Sequence, residues 1–166
     1  MAKHAVVRTD NMQGTDVRAG LVSARYMGKD GKTPTAIDNG HVLKITELLE
    51  GERELYAAVD VAADDDLAKV VLVATPELMY EGKRSLAAYT NEEGKNLRCY
   101  HLYDGDTFSV TKDAIDGEAK AGSVIELAAG TKLKVSSGEA AGTAVGKVIA
   151  IDLVSGLEFV VIKVGL

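Results

Sequence analysis

The sequence predicts a mainly β fold: a small antiparallel β-barrel or sandwich, with an extended N-terminal arm and one or two short helices. Three observations lead there. The second half of the chain is a succession of valine- and isoleucine-rich runs separated by glycines, at 123–127, 132–135, 147–154 and 157–164. Apolar residues alternate with polar ones, or run on for a few positions, more often than they recur at helical spacing. Seventeen glycines against two prolines supply turns without blocking strand pairing.

A chain of 166 residues is expected to form one domain. It can bury about two-thirds of its unfolded surface, so no metal or disulfide staple is required. The expected division is an extended arm over residues 1–20 and a single β-rich domain over 21–166, with 120–166 as its clearest barrel portion. The arm carries one short apolar run, Ala5-Val6-Val7, followed by polar and glycine-rich sequence. It reads as a segment ordered by a partner, and Ala5, Val6, Val7 and Arg8 are its partner-binding residues. A first edge strand from Ala5 to Thr9 is the alternative.

A strand over 21–27 closes at the turn Gly28-Lys29-Asp30-Gly31, and Asn39-Gly40 introduces a strand over 41–45. Residues 44–59 fit either an amphipathic helix or strands. Period two fits better, and a strand over 54–61 would put Leu55, Ala57, Val59 and Val61 on one face and Tyr56 and Ala58 on the other. Asp64-Asp65-Asp66 reads as a solvated loop before a buried strand over 69–73. Thr75-Pro76-Glu77 has the chemistry of a helix start, with threonine as N-cap and proline at the first helical position, for a short helix ending near 80–82. Residues 83–96 read as an exposed excursion turning at Asn91-Glu92-Glu93-Gly94.

The turn Asp104-Gly105-Asp106 predicts a hairpin between 98–103 and 107–110, and 111–117 has room for one helical turn. Ser155-Gly156 is a two-residue hairpin turn joining the last two strands. Leu133, Val135, Ile149, Ile151, Phe159 and Val161 are expected to share one core.

Charge and chemistry exclude more than they assign. Nineteen basic against twenty-five acidic residues leave a net charge of −6, and aromatics are 5% of the chain. That composition lacks the basic patch and stacking platform of a nucleic-acid binder. No window approaches 18 consecutive apolar residues, so no membrane partner is expected. The single cysteine, Cys99, cannot form an internal disulfide.

Gly138 through Lys147 is the nearest approach to a phosphate loop. However, Gly142 and Gly146 have only three residues between them instead of four, and Val148 occupies the hydroxyl position, so these glycines read as turns. Cys99 and His101 fall on one side of a strand, which gives two ligands where zinc needs three or four. Neither Asp64-Asp65-Asp66 nor Asp104-Gly105-Asp106 has calcium-loop spacing. The reading carries no catalytic, cofactor-binding or metal-binding residue, no cofactor and no enzymatic activity.

Several stretches resemble a known class. They are Gly122-Ser123-Val124-Ile125-Glu126-Leu127, Gly130-Thr131-Lys132-Leu133-Lys134-Val135, Gly142-Thr143-Ala144-Val145-Gly146-Lys147-Val148-Ile149-Ala150 and Phe159-Val160-Val161-Ile162-Lys163-Val164, with Ala36-Ile37-Asp38-Asn39-Gly40-His41-Val42-Leu43 upstream. Over about half the chain they resemble the head decoration (capsid cement) β-barrels of tailed phages and prophages. The resemblance implies a non-catalytic virion structural protein, made in the host cytoplasm and seated on the capsid exterior. Its partner would be the major capsid protein, and it would self-associate, with a trimer favoured. Another virion component (head fibre base, neck or tail accessory) and a small-molecule-binding β-barrel are the alternatives.

Overall fold

The computed structural model describes residues 4–11, 20–77, 88–138 and 142–165. The strands within them are β1 (Val7–Asn11), β2 (Leu21–Tyr26), β3 (Val42–Leu48), β4 (Leu55–Val59), β5 (Val70–Val73), β6 (Leu97–His101), β7 (Thr107–Thr111), β8 (Ile115–Asp116), β9 (Val124–Leu127), β10 (Leu133–Val135), β11 (Ala144–Val154) and β12 (Leu157–Val164). Short 3-10 turns occur at Leu67–Lys69 and Lys112–Ala114. The fold is mainly β. Strands β2 to β6 close into a barrel in the order β2-β4-β3-β5-β6, and the others form a sheet in the order β1-β7-β12-β11-β9-β10-β8.

The two layers share strand β5. Its sequence, Val70-Val71-Leu72-Val73, is apolar at every position, and every position is buried. Alternation explains why. Val71 and Val73 point into the barrel with Ala24, Leu43, Ala58, Leu97 and Cys99. Val70 and Leu72 point outward and pack, with Val42, against Phe108, Val110, Ile125, Leu133 and Ile162 of the sheet. Backbone bonds stitch the layers further: Val61 and Gly130 exchange both bonds at 2.8 and 2.9 Å, and the Val42 amide donates to the Thr131 carbonyl at 2.8 Å.

Several expectations are corrected. The closed barrel lies within residues 21–101, whereas 120–166 contributes β9 to β12 of the open sheet. The alternation expected for β4 is present, with Ala58 pointing into the barrel and Tyr56 on the same face at its mouth. A five-stranded barrel leaves little interior room, and the small Ala24 and Ala58 suit its inner face.

The strands flanking Asp104-Gly105-Asp106 do not form a hairpin. The turn itself is present, with the Asp106 amide donating to the Tyr103 carbonyl at 3.0 Å and the Asp106 carboxylate accepting from the Tyr103 amide at 3.1 Å. The chain uses it to pass from the barrel to the sheet, and β7 pairs with β1 and β12 instead.

Residues 74–77 are not helical. Thr75 is held by Asn39, whose side-chain oxygen accepts from the Thr75 amide at 3.1 Å. The rest of that expected helix, and residues 83–87 of the excursion, lie outside the described residues. Within 88–96 a turn does form at Gly94, but Asn91 is buried and bridges to Ile37.

The arm is corrected where it is described. Ala5, Val6 and Val7 are buried, β1 pairs antiparallel with β7, and Ala5 and Val7 enter the main core. Three apolar residues in a row suffice because one sheet edge is open to receive them. Residues 1–3 and 12–19 lie outside the description.

Of the six residues expected in one core, Leu133, Phe159 and Val161 are buried and Val135 is half-buried, while Ile149 and Ile151 are exposed. Phe159 and Val161 occupy the face of β12 opposite Val160 and Ile162, so they are outside the main core. A bulge between Val148 and Ala150 shifts the register of β11 against β12. Gly146 is a strand residue, and a Cβ there would lie 2.1 Å from the Lys163 carbonyl oxygen. Only glycine permits that approach.

Candidate functional site

The expected partner-binding residues come together at the sheet edge, in a form the arm reading did not anticipate. The Val6 amide donates to the Thr111 hydroxyl at 3.0 Å and its carbonyl accepts from the Thr111 amide at 2.8 Å. Val6 therefore turns its backbone toward β7, and alternation turns that of Val7 the other way. Because β1 terminates the sheet, this outward side has no strand beside it among the described residues. The Arg8 guanidinium lies 5.0 Å from the Phe159 ring centre and 3.5 Å from an Asp152 carboxylate oxygen. His4 pins the segment from the other end, with Nδ1 3.1 Å from Asp38. What remains for a partner is the backbone edge.

The groups with chemical potential elsewhere are engaged in structure. Cys99 is sealed inside the barrel, and burial raises its thiol pKa far above the ordinary value, against thiolate chemistry. His101 lies two residues along at the barrel mouth, stacked on Tyr103 at 6.0 Å, and burial lowers its pKa. His41 contacts the Thr131 hydroxyl at 2.9 Å. Burial lowers its pKa, with Asp38 opposing and Lys132 reinforcing the shift. Asp65, read from sequence as solvated, accepts from Lys44 at 2.5 Å and from the Ala62 amide at 2.7 Å. Burial works to raise its pKa, but those two bonds outweigh it and the net shift is downward. Among the described residues no group of three or more His, Cys, Asp or Glu could hold a metal ion.

A buried polar network at one barrel end is the feature that sequence reasoning missed. Asn91 donates to the Ile37 carbonyl and to the Asn39 side-chain oxygen, both at 3.0 Å, and accepts from the Tyr89 hydroxyl at 3.2 Å. Asn39 donates to the Thr75 carbonyl at 2.8 Å and to Glu77 at 3.2 Å. Burial raises the Glu77 pKa, with the Asn39 bond opposing. These contacts clamp three loops together. Asn39-Gly40 and Asn91-Glu92-Glu93-Gly94 both registered as turns, and nothing local indicated that the two asparagines meet.

At the other end, a shallow recess of about 450 Å³ is lined by Leu21, Val22, Ser23, Ile45, Arg53, Glu54, Tyr56 and His101.

Comparison with family models, curated proteins and solved structures finds no match to this chain.

Proposed function

We propose that this chain is a non-catalytic structural component of a phage virion, a decoration protein that binds the capsid exterior and stabilises the shell. One observation carries the reading on the structural side: β1 is fixed on this chain's own core while its outer backbone edge has no strand beside it among the described residues. A pre-ordered edge binds an extended segment of a capsid subunit by strand addition, without the ordering entropy a loose arm would lose. Support also comes from the likeness of residues 122–164 to capsid cement sequences, and from the burial of the one thiol. In this reading Ala5, Val6 and Val7 hold the edge in place, and the backbone makes the contact.

The test is co-sedimentation with undecorated shells assembled from the capsid protein of the same genome. Because removing β1 would take Ala5 and Val7 out of the core, point variants serve better than a deletion. Thr9 is exposed on β1, and Thr9→Lys or Thr9→Pro blocks an edge without emptying a core position. Wild-type protein is expected to sediment with shells, and both variants to bind at least tenfold more weakly with unchanged thermal unfolding. Wild-type protein that leaves shells unbound overturns the decoration reading, and variants that bind as well as wild type move the contact away from β1.

A further inference from the structure

Strand β11 overshoots its neighbour. β9 pairs with it from Ala144 to Lys147, and the Gly122–Ser123 turn takes the amide and carbonyl of Val148. Over 149–154 the side of β11 facing away from β12 has no strand beside it among the described residues. Ser155 and Gly156, at φ 51° and 78°, form the tip turn between Val154 and Leu157. The residues flanking such a two-residue turn exchange both bonds across the hairpin, so the backbone groups of Leu153 and Ile151 point outward.

The side chains on this edge are apolar and in water. Ile149 is 52% exposed, Ile151 38%, Leu153 77% and Val154 41%. Beyond the bulge at its base, this unpaired edge carries one charge, Asp152, and no lysine or proline, and soluble proteins avoid so apolar an edge unless something pairs with it.

We propose that the occupant is a second copy of this chain, added antiparallel to β11 about a two-fold axis to give a continuous β12-β11-β11-β12 ribbon. Two arguments select a copy. The first is register. Centred on Ile151 or on Leu153, both outward-pointing, the pairing sets Asp152 opposite Ala150 or Val154 of the other copy. Only centring on Asp152 would oppose like charges. The second is charge. Beside the base of the overhang, Lys147 and Lys163 face Asp104, whereas beside its tip Asp113 and Glu158 face Lys112. One end carries a net positive and the other a net negative charge, and a two-fold antiparallel arrangement lays each against its opposite. The proposal stands independently of the capsid reading.

Sedimentation velocity on the full chain over a concentration series is the first test, and dimers are expected. Leu153→Lys is expected to weaken the dimer at least tenfold with an unchanged circular dichroism spectrum. The second test is cross-linking. Residues facing themselves across a two-fold in a hydrogen-bonded pair have Cα atoms about 5.5 Å apart, within disulfide reach. Ile151→Cys or Leu153→Cys, according to the axis, is then expected to form a covalent dimer on mild oxidation. Leu48→Cys, exposed on the barrel, is not. A monomer at all concentrations, a trimer, a dimer indifferent to Leu153→Lys, or failure of both cysteine variants to cross-link overturns the proposal. So does a monomeric chain whose Leu153→Lys variant loses shell binding, since the edge would then belong to the capsid.

Discussion

Strand β5 and the overhanging half of β11 carry the same message in sequence and have opposite fates. Val70-Val71-Leu72-Val73 and Ile149-Ala150-Ile151-Asp152-Leu153-Val154 are both short, β-branched and almost wholly apolar. The first is buried at every position, and the second is the largest exposed apolar stretch among the described residues. The difference lies outside both segments. β5 stands where a barrel wall backs onto a sheet, so both its faces find partners. β11 runs past the end of β9 and leaves the layer that would cover it. An apolar run specifies that a strand has something to bury, and its neighbours decide where.

The largest expected effect breaks this comparison directly. Leu72→Asp places an unpaired carboxylate in the main core and is expected to abolish cooperative folding, since desolvating it costs several kcal/mol against a total stability of about 5–15 kcal/mol. Ile151→Asp, in an equally apolar run, is expected to leave the midpoint of thermal unfolding of the dilute protein within a few degrees. Thermal melts followed by circular dichroism decide it, and similar losses in both variants would mean that the overhang is covered.

Next in size is the asparagine clamp. Asn91→Ala removes donors from the Ile37 carbonyl and the Asn39 side-chain oxygen in a buried site, and is expected to destabilise the fold by about 1–3 kcal/mol. Urea unfolding measures the loss. A change below about 0.5 kcal/mol would show that the clamp is dispensable, as at an ordinary surface site.

Most strand positions were legible in the sequence because alternation, glycine turns and continuous apolar runs are local signals. The two-residue Ser155-Gly156 turn and the strand at β5 fall where those signals put them. What was illegible is set at long range. Asn39 and Asn91 are 52 residues apart and read only as turns. The Asp104-Gly105-Asp106 turn had the right local chemistry, but nothing in it records that its two strands leave for different sheets. The loose-arm reading of the N-terminal segment failed for the same reason, since whether Ala5 and Val7 dock depends on an open edge at β7, a hundred residues away.

A smaller effect follows from the imidazoles at the layer boundary and the barrel mouth. Burial lowers the pKa of His41 and of His101 in the folded chain. The unfolded chain then binds more protons as pH falls below about 6.5, so stability is full above that value and declines below it. The slope is at most about 1.4 kcal/mol per pH unit for each group. His41 faces Asp38, Asp116 and Lys132. Denaturant midpoints between pH 7.5 and 5.5 should fall for wild type and fall less for His41→Asn. Glu77, whose pKa burial raises, works in the opposite direction, losing stability as pH rises through the carboxylate range. Equal slopes in wild type and His41→Asn would place the acid sensitivity elsewhere.

The smallest expected effect concerns Arg8, and it sharpens the contrast between a strand held by its side chains and one left bare. Arg8 covers Phe159 on the outer face of the sheet and reaches Asp152 at 3.5 Å, linking β1 to the overhang. Both partners of that ion pair are partly in water, so the pair contributes about 0–1 kcal/mol, and the cation over an aromatic face adds about 0.5–1 kcal/mol. Arg8→Ala is therefore expected to destabilise by about 1 kcal/mol, partly through lost cover over Phe159. Arg8→Lys keeps the charge but loses the planar guanidinium, and is expected to recover less than half of that. Raising salt to about 0.5 M should remove the ionic part of the difference and leave the packing part. If Arg8→Ala instead costs as much as Asn91→Ala, β1 is held mainly from the outer face, and the burial of Ala5 and Val7 contributes less than their place in the core implies.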